Sequence, residues 1–160
     1  MALEVLKLPA PVVSGVDVAR LSRELEAFED YMEQARARKT ADKLAPPRTS
    51  RLLDELTRSN GLNLLQSADR ARLKAFLTSL VGAPTVHISF ASDPSAAFTE
   101  KIVTWFRTNI HPHTLVQVGL QPNIAAGCIV RTQNKVFDFS LRQNFAEKQQ
   151  MLIQAIGGKQ

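Results

Sequence analysis

The apolar positions of the chain follow a helical period in its first half and a strand period in its second half. From Val18 to Ala35 they recur every three or four residues, which predicts a helix from about Asp17 to Arg38 with one apolar face. Asp17 is the expected N-cap, because its carboxylate can accept hydrogen bonds from the first free N–H groups of the helix. Residues 1–15 contain two prolines and are expected to form an extended arm.

The apolar face of this first helix has two interpretations. It packs against the rest of its own domain, or it forms a two-stranded helical contact with a partner, since spacings of three and four also define a heptad seam. The face is shorter than three heptads, so both interpretations stay open. The residues that such a partner would contact are Leu21, Leu25, Phe28 and Met32.

Two shorter helices are predicted after a linker. Pro46 and Pro47 cannot continue a helix, so residues 45–49 are expected to form the linker. The second helix should begin at about Ser50 and end at an Asn-Gly pair, and Ser67 is the expected cap of the third. The residues predicted to be buried are Leu52, Leu53 and Leu56 in the second helix and Leu73, Phe76, Leu77 and Leu80 in the third.

After Pro84 the apolar residues alternate with polar ones, as expected for strands with one covered face. The predicted order is a strand over 85–91, a helix starting at Asp93 and Pro94, a strand over 114–120, a hairpin of strands over 127–132 and 135–139, and a helix from Ser140. The residues predicted to be buried on the two helices are Phe98, Ile102, Trp105 and Phe106, followed by Leu141, Phe145, Leu152 and Ile156.

The change of period divides the chain into two predicted domains. The arm over 1–15 leads into a helical N-terminal domain over 16–82. The C-terminal domain over 83–160 has the order strand, helix, strand, strand, strand, helix. The predicted fold class is therefore α+β, with a small mixed sheet in the second domain.

Composition narrows the class of protein. No apolar run approaches the roughly 20 residues of a membrane-spanning helix, and the first residues lack the apolar centre of a secretory signal. The single cysteine, Cys128, excludes an internal disulfide and fits a reducing compartment. The net charge of +5 is spread thinly, with 13 basic and 11 acidic residues over 1–82 and 7 and 4 over 83–160, so no strongly basic patch is predicted.

Residues typical of catalysis or metal binding are few. His111 and His113 could share a metal, but a site needs a third or fourth ligand, and no Cys or carboxylate cluster is near in sequence. Cys128 has no neighbouring His to activate it. Gly157 and Gly158 follow the last predicted helix, so they form no phosphate-binding loop. The sequence therefore contains no motif that indicates a catalytic, cofactor-binding or metal-binding site, and we predict no such residues.

A small RNA-binding or ribosome-associated protein is the alternative class. The pI of about 9.7 is compatible with it, and Arg131 and Lys135 lie beside the aromatic residues of the predicted hairpin. Phe137 and Phe139 alternate on one face, however, in the pattern of a core-facing set. RNA binding would require such aromatic residues to be exposed.

The hairpin region carries a specific pattern, LQPNIAAGCIVRTQNKVFDFSLRQNF, with Pro122, Gly127, Ile129, Val130, Arg131, Val136, Asp138, Ser140, Leu141 and Arg142 at its defining positions. In spacing and residue type it resembles the C-terminal signature of the ATP synthase delta subunit family, called the oligomycin-sensitivity-conferring protein in mitochondria. The resemblance covers about residues 84–153. The chain departs from the family at Ala126, where a glycine is usual, and in an N-terminal half predicted to hold fewer helices.

The resemblance implies a peripheral-stalk, or stator, subunit that takes part in proton-driven ATP synthesis without doing chemistry. It implies subunits b and alpha as partners and a location on the cytoplasmic side of the energy-transducing membrane, held there through the complex. The corresponding stalk protein of a vacuolar-type complex is a neighbouring alternative with the same role. The residues proposed to contact partners are Leu21, Leu25, Phe28, Met32, Trp105, Phe106, Phe145 and Leu152.

Asp138 gives the first testable prediction. A short acceptor at a strand end can bond free N–H groups just after it, and its charge suits the start of a helix. We expect Asp138→Ala to lower the free energy of unfolding by about 1 kcal/mol without removing an activity. Thermal melting measures this, and an unchanged melting temperature would reject the capping role.

Overall fold

The structure, a computed structural model, describes residues 6–38, 45–124 and 126–140. Its fold is α+β, as predicted, with a helical N-terminal region followed by a four-stranded mixed sheet. The elements are α1 Gly15–Ala37, α2 Arg51–Ser59, α3 Ser67–Ser79, a 3-10 turn Leu80–Gly82, β1 Thr85–Phe90, α4 Ala96–Asn109, β2 Leu115–Leu120, a 3-10 turn Pro122–Ile124, β3 Cys128–Arg131 and β4 Val136–Asp138. The helix predicted from Ser140, with Leu141, Arg142, Phe145, Leu152 and Ile156, lies outside the described residues.

The chain forms two compact units. The first contains Met1–Pro84 and Glu100–Leu115, and the second contains Thr85–Thr99 and Val116–Gln160. This grouping differs from the predicted boundary at residue 83 because it assigns most of α4 to the first unit.

The start of α1 is fixed by a capping box. The Ser14 hydroxyl accepts from the Asp17 N–H, and the Asp17 carboxylate accepts from the Ser14 N–H at 2.8 Å. The prediction of Asp17 as the N-cap was therefore wrong: Ser14 is the cap and Asp17 is the third residue of the helix. The Asp17 carboxylate still accepts a hydrogen bond from a backbone N–H at the start of α1, where its negative charge suits the helix dipole, as expected.

The second and third helices begin differently. Ser50 caps α2 as predicted, with its hydroxyl accepting from the Leu53 N–H at 3.3 Å, and its own N–H donates to Glu24 of α1. The predicted cap of α3 was wrong, because Ser67 is already its first residue and Gln66 makes no side-chain cap bond. At the end of α2, Gly61 has a φ of 61°, which explains the Asn-Gly terminator.

The core of the first unit joins three helices and the arm. The described arm residues 6–13, which we call the arm segment, place Leu6, Leu8 and Val12 among the buried side chains, so this part of the predicted arm is packed. Leu52, predicted to be buried, is only partly so. The other members of this core are Val18, Leu21, Leu25, Leu53, Leu56, Leu73, Phe76, Leu77, Leu80 and Leu115.

The sheet of the second unit has the order β2-β1-β3-β4. β3 is antiparallel to both β1 and β4, with Ile88 opposite Val130 and Val130 opposite Phe137. These residues share one face, and the β1 side chains on it are buried, as predicted. Phe137 therefore lies on the predicted core-facing side of the sheet. Phe137 and Phe139 are nevertheless 43% and 62% exposed, so the expectation that they are buried was wrong. The reason is the position of Phe137 on β4, the edge strand of the sheet, and of Phe139 just after the end of that strand.

Helix α4 differs from the prediction in its start and its buried face. It begins at Ala96, two residues after Pro94, and the Ser95 hydroxyl accepts from the Phe98 N–H at 3.3 Å. Phe98 and Trp105, predicted to be buried, are 49% and 56% exposed. The buried residues of α4 are Val103 and Phe106, and Ile102 is intermediate. The observed buried face is therefore rotated by about one residue from the predicted one, with Val103 buried in place of Ile102. The sequence could not distinguish the two faces, because apolar residues occur on more than one side of the helix.

Gly127 gives a prediction for the second unit. Its φ is 88°, and a Cβ added there would lie 2.2 Å from the Phe139 carbonyl oxygen. We expect Gly127→Ala to lower the free energy of unfolding by more than about 2 kcal/mol, through backbone strain and this clash together. Chemical denaturation measures the change.

Gly119→Ala is the matched control, because a Cβ there would meet its nearest neighbour, the Ser89 hydroxyl, at an ordinary 3.6 Å. Its effect should be clearly smaller. Equal effects of the two substitutions would contradict the close approach at Gly127.

Candidate partner-binding sites

The residues of the C-terminal pattern meet at the β3–β4 hairpin of the second unit. Gly127 precedes β3, and the Phe139 N–H donates to the Cys128 carbonyl at 2.9 Å, which closes the far end of the hairpin. The turn is closed by a bond from the Thr132 N–H to the Lys135 carbonyl, also 2.9 Å. These positions therefore serve the backbone path of the hairpin.

Asp138 and its neighbours have turn-forming roles. The Asp138 carboxylate accepts from the Ser140 N–H at 2.8 Å, immediately after β4. Pro122 begins the 3-10 turn between β2 and β3, where its fixed φ suits the first helical position. Arg131 ends β3 opposite His87, and Arg142 lies outside the described residues. The described part of the pattern thus specifies chain geometry, with no cluster of reactive groups.

The proposed partner contacts on α1 are mostly buried. Leu21 and Leu25 belong to the core of the first unit, Phe28 is also buried, and Met32 is partly exposed. Their burial favours the first of the two interpretations of this face, packing within the domain. A partner on α1 would have to use Met32 and its exposed neighbours.

The proposed contacts on α4 divide between surface and core. Trp105 is exposed, whereas Phe106 is buried, and the two rings meet edge to face with centroids 5.2 Å apart. An exposed Trp that rests on a buried ring is held in place before binding, which reduces the entropy cost of using it as an anchor. Phe145 and Leu152 lie outside the described residues.

The histidine pair has a packing role in the first unit. The His113 N–H donates to Nδ1 of His111 at 3.2 Å, and Nε2 of His113 lies 3.3 Å from the Leu6 carbonyl. The His113 ring also meets Phe76 edge to face at 5.3 Å. Across residues 6–38, 45–124 and 126–140, no group of three or more His, Cys, Asp or Glu is arranged to hold a metal.

Burial raises the pKa of the Cys128 thiol, which disfavours the reactive thiolate.

Arg107 of α4 donates four hydrogen bonds to backbone carbonyls in the first unit. Its Nη1 donates to the carbonyls of Leu8 and Pro9 at 3.1 and 2.8 Å, and its Nη2 donates to that of Val12 at 2.5 Å. Its Nε donates to the Thr114 carbonyl at 3.1 Å. Burial lowers the pKa of Arg107 to about 10, so the guanidinium stays charged at neutral pH. One side chain therefore ties the arm segment to α4 and to the loop before β2.

Asn60 holds the other end of the arm segment. Its side-chain amide donates to the Lys7 carbonyl at 2.9 Å, and its Oδ1 accepts from the Lys7 N–H. Because both bonds use the Lys7 backbone, its ammonium group takes no part in them. The arm segment is therefore held by polar contacts at both ends and by apolar burial between them.

A surface groove lies beside this attachment in the first unit. Its volume is about 520 Å³, and we call it the arm groove. Its wall combines aliphatic side chains from the arm segment with polar groups of α4 and the loop after it. The lining residues are Leu6, Lys7, Leu8, Ala10, Thr104, Arg107, Thr108, Pro112 and His113.

The sequence analysis did not identify Arg107. A usable signal was present, because Arg107 lies four residues after Val103 and therefore on the same face of α4. A cation on a buried face requires oxygen acceptors, and the proline-containing arm can supply free carbonyls. The sequence does not reveal which segment supplies them, since the bonds span up to 99 positions.

Two comparisons with known proteins identify no family for the chain. No protein-family model matches it, and no curated protein matches it significantly. Among the helices that the structure describes, none is long and apolar enough to cross a membrane.

Arg107 gives the prediction of this subsection. Arg107→Gln removes donors to several carbonyls that are partly shielded from water, and we expect a loss of about 2 kcal/mol or more in the free energy of unfolding. Arg107→Lys should recover little of it, since an ammonium cannot reproduce the planar fork. Hydrogen exchange should also show faster exchange at the Val12 amide, which bonds to the Pro9 carbonyl.

The matched control is Arg23→Gln. Arg23 is an exposed arginine whose Nε donates to the Ala19 carbonyl one helical turn away, so its loss should change stability by less than about 0.5 kcal/mol. If Arg107→Gln were as mild as the control, the attachment of the arm segment would not depend on the guanidinium.

Proposed function

We propose that the protein is a stator subunit of a rotary F-type ATP synthase, which links the catalytic head to the stalk helices of subunit b. The observation that carries this proposal is the C-terminal pattern, read together with the geometry of the hairpin. A side chain at position 127 would clash with the backbone of Phe139, and the Asp138 carboxylate accepts a hydrogen bond from the Ser140 N–H just after β4. Each of these two residue types is required by the local backbone geometry. Amino-acid composition alone therefore does not explain why they occur at these positions of the pattern.

The fold also supports the proposal. The order of a helical region followed by a small α+β unit is the order that the resemblance implies, and the agreement in detail is limited to the C-terminal part, since the N-terminal half has fewer helices than the family. A fold shared with a family does not by itself assign function, so the argument depends on the residues of the pattern. No catalytic role is included, because a stator works by staying bound while the rotor turns.

The proposed mechanism is mechanical. Interfaces that carry torque need buried anchors, and aromatic residues in well-packed pockets usually supply most of the binding energy. Trp105 of the first unit is exposed and already supported by Phe106. It is therefore the described residue best suited to contact a stalk or head subunit, here subunit b or alpha.

RNA binding is the second candidate, since Phe137 and Phe139 are exposed and stack with ring centroids 6.3 Å apart and planes 11° from parallel. Exposed aromatic rings on a sheet are a common platform for bases. The charge pattern gives less support. Alternation places Arg131 on the opposite face from Phe137, which leaves Lys135 as the cation on the aromatic side of the hairpin.

Affinity capture from gently solubilised cells, with a high-salt wash and mass spectrometry, tests the proposal. We expect the tagged protein to retain ATP synthase head and stalk subunits, because apolar anchors resist salt. Trp105→Ala should reduce that recovery by about tenfold or more, as expected for an interface anchor. Val81→Ala, at another exposed apolar residue of the first unit, is the matched control and should leave it unchanged.

Recovery of RNA or ribosomal proteins alone, lost at high salt, would contradict the stator proposal and support the second candidate. Equal recovery with both variants would retain the stator role and remove Trp105 from the interface.

A further inference from the structure

The arm groove contains an unusually placed positive charge. Four of the five N–H groups of Arg107 donate to backbone carbonyls, all of them neutral acceptors. The fifth, on Nη2, has no acceptor among residues 6–38, 45–124 and 126–140, and no described carboxylate pairs with the guanidinium. The positive charge is held in a partly desolvated position without an opposite charge, so an anion at the groove would be attracted to it.

The remaining lining strengthens the preference for an anion. Lys7 adds a second cation, and its ammonium group is not used by the contacts that hold the arm segment. The hydroxyls of Thr104 and Thr108 donate to carbonyls within α4. The lining contains no Asp or Glu, so a negative group entering the groove meets no described charge of its own sign there.

The apolar part of the lining indicates what else the ligand carries. Leu6, Leu8, Ala10, Pro112 and His113 complete the lining. Leu6 and Leu8 present only their accessible edges, since both are largely buried, whereas Ala10 is partly exposed and Pro112 is exposed. A small inorganic anion would leave these aliphatic surfaces in contact with water. A carboxylate flanked by aliphatic groups would cover them and meet the charges at the same time.

We propose that the arm groove binds a segment of a partner protein that presents a carboxylate among aliphatic side chains. The carboxylate lies toward Arg107 and Lys7, and the aliphatic groups lie along the arm segment. This inference is independent of the stator proposal, since it depends only on the charge and lining of the groove.

An NMR titration of the isotope-labelled full chain tests the inference with a defined probe. The probe is the blocked peptide acetyl-Ala-Leu-Glu-Leu-Ala-amide, and its control replaces Glu with Gln. We expect the Glu peptide to shift the Arg107 Nε–H signal and the backbone amides of Lys7 and Thr108, with affinity about tenfold higher than that of the Gln peptide. Raised salt should reduce the difference.

Two variants locate the effect. Lys7→Gln should weaken binding of the Glu peptide about threefold while leaving the fold intact, because only the backbone of Lys7 holds the arm segment. Lys101→Gln, at an exposed lysine of α4 outside the groove lining, should leave binding unchanged. Equal effects of the two variants, or equal binding of the two peptides, would overturn the proposal.

Other sources of an anion give different results. If inorganic phosphate or acetate shifts the same signals as strongly as the Glu peptide, the groove is a small-anion site and the proposal of a protein segment fails. Glu4 precedes Leu6 by two positions in the sequence. If Glu4→Gln alone shifts the groove signals and raises affinity for the Glu peptide, the chain itself supplies the carboxylate, which would also overturn a partner segment as the normal occupant.

Discussion

The first unit depends on the attachment of an N-terminal segment through one guanidinium. Arg107 binds the carbonyls of Leu8, Pro9 and Val12, and the same segment buries Leu6, Leu8 and Val12 in the helical core. The two contributions support each other, since apolar burial brings the carbonyls out of water and the arginine then satisfies them. The arm segment is therefore part of the core, although its sequence has neither a helical nor a strand period.

This arrangement also links the two candidate surfaces of the first unit. Arg107 fixes the wall of the arm groove, and Trp105 lies two residues earlier on the same helix, at an exposed position. The rigid helix places both on a defined scaffold, while the arm segment contributes the aliphatic side of the groove. Because the arm segment forms part of the groove, the groove depends on the contacts that hold this segment in place, here those of Arg107 and Asn60.

The sequence predicted the elements well wherever one period dominates. The leucines of α3 and the alternation of Val86, Ile88 and Phe90 led directly to their buried faces. Predictions were less successful where two signals compete. Ser14 and Asp17 are both good caps, and only the geometry shows that they act as a pair. In α4, Trp105 and Phe106 are adjacent and both large and aromatic, so periodicity could not determine which of them is buried.

The candidate sites were harder to predict because they depend on contacts distant in sequence. The hairpin pattern could be read locally, since its residues act within a short stretch of chain. The exposure of Phe137 follows instead from the strand order, which places β4 at the edge. The arm groove depends on pairing the arm segment with α4, and nothing in either stretch alone specifies the other.

The long span of these contacts also has a consequence for synthesis on the ribosome. The arm segment leaves the ribosome well before its polar partners, because Asn60 follows Lys7 by 53 positions and Arg107 follows Leu8 by 99. The first unit therefore cannot complete its core when only α1, α2 and α3 have been synthesised. The core can close only after α4 has left the ribosomal exit tunnel. Such non-local closure raises contact order and slows folding, so early apolar helices stay exposed to chaperones for longer than in a bundle that closes in sequence order.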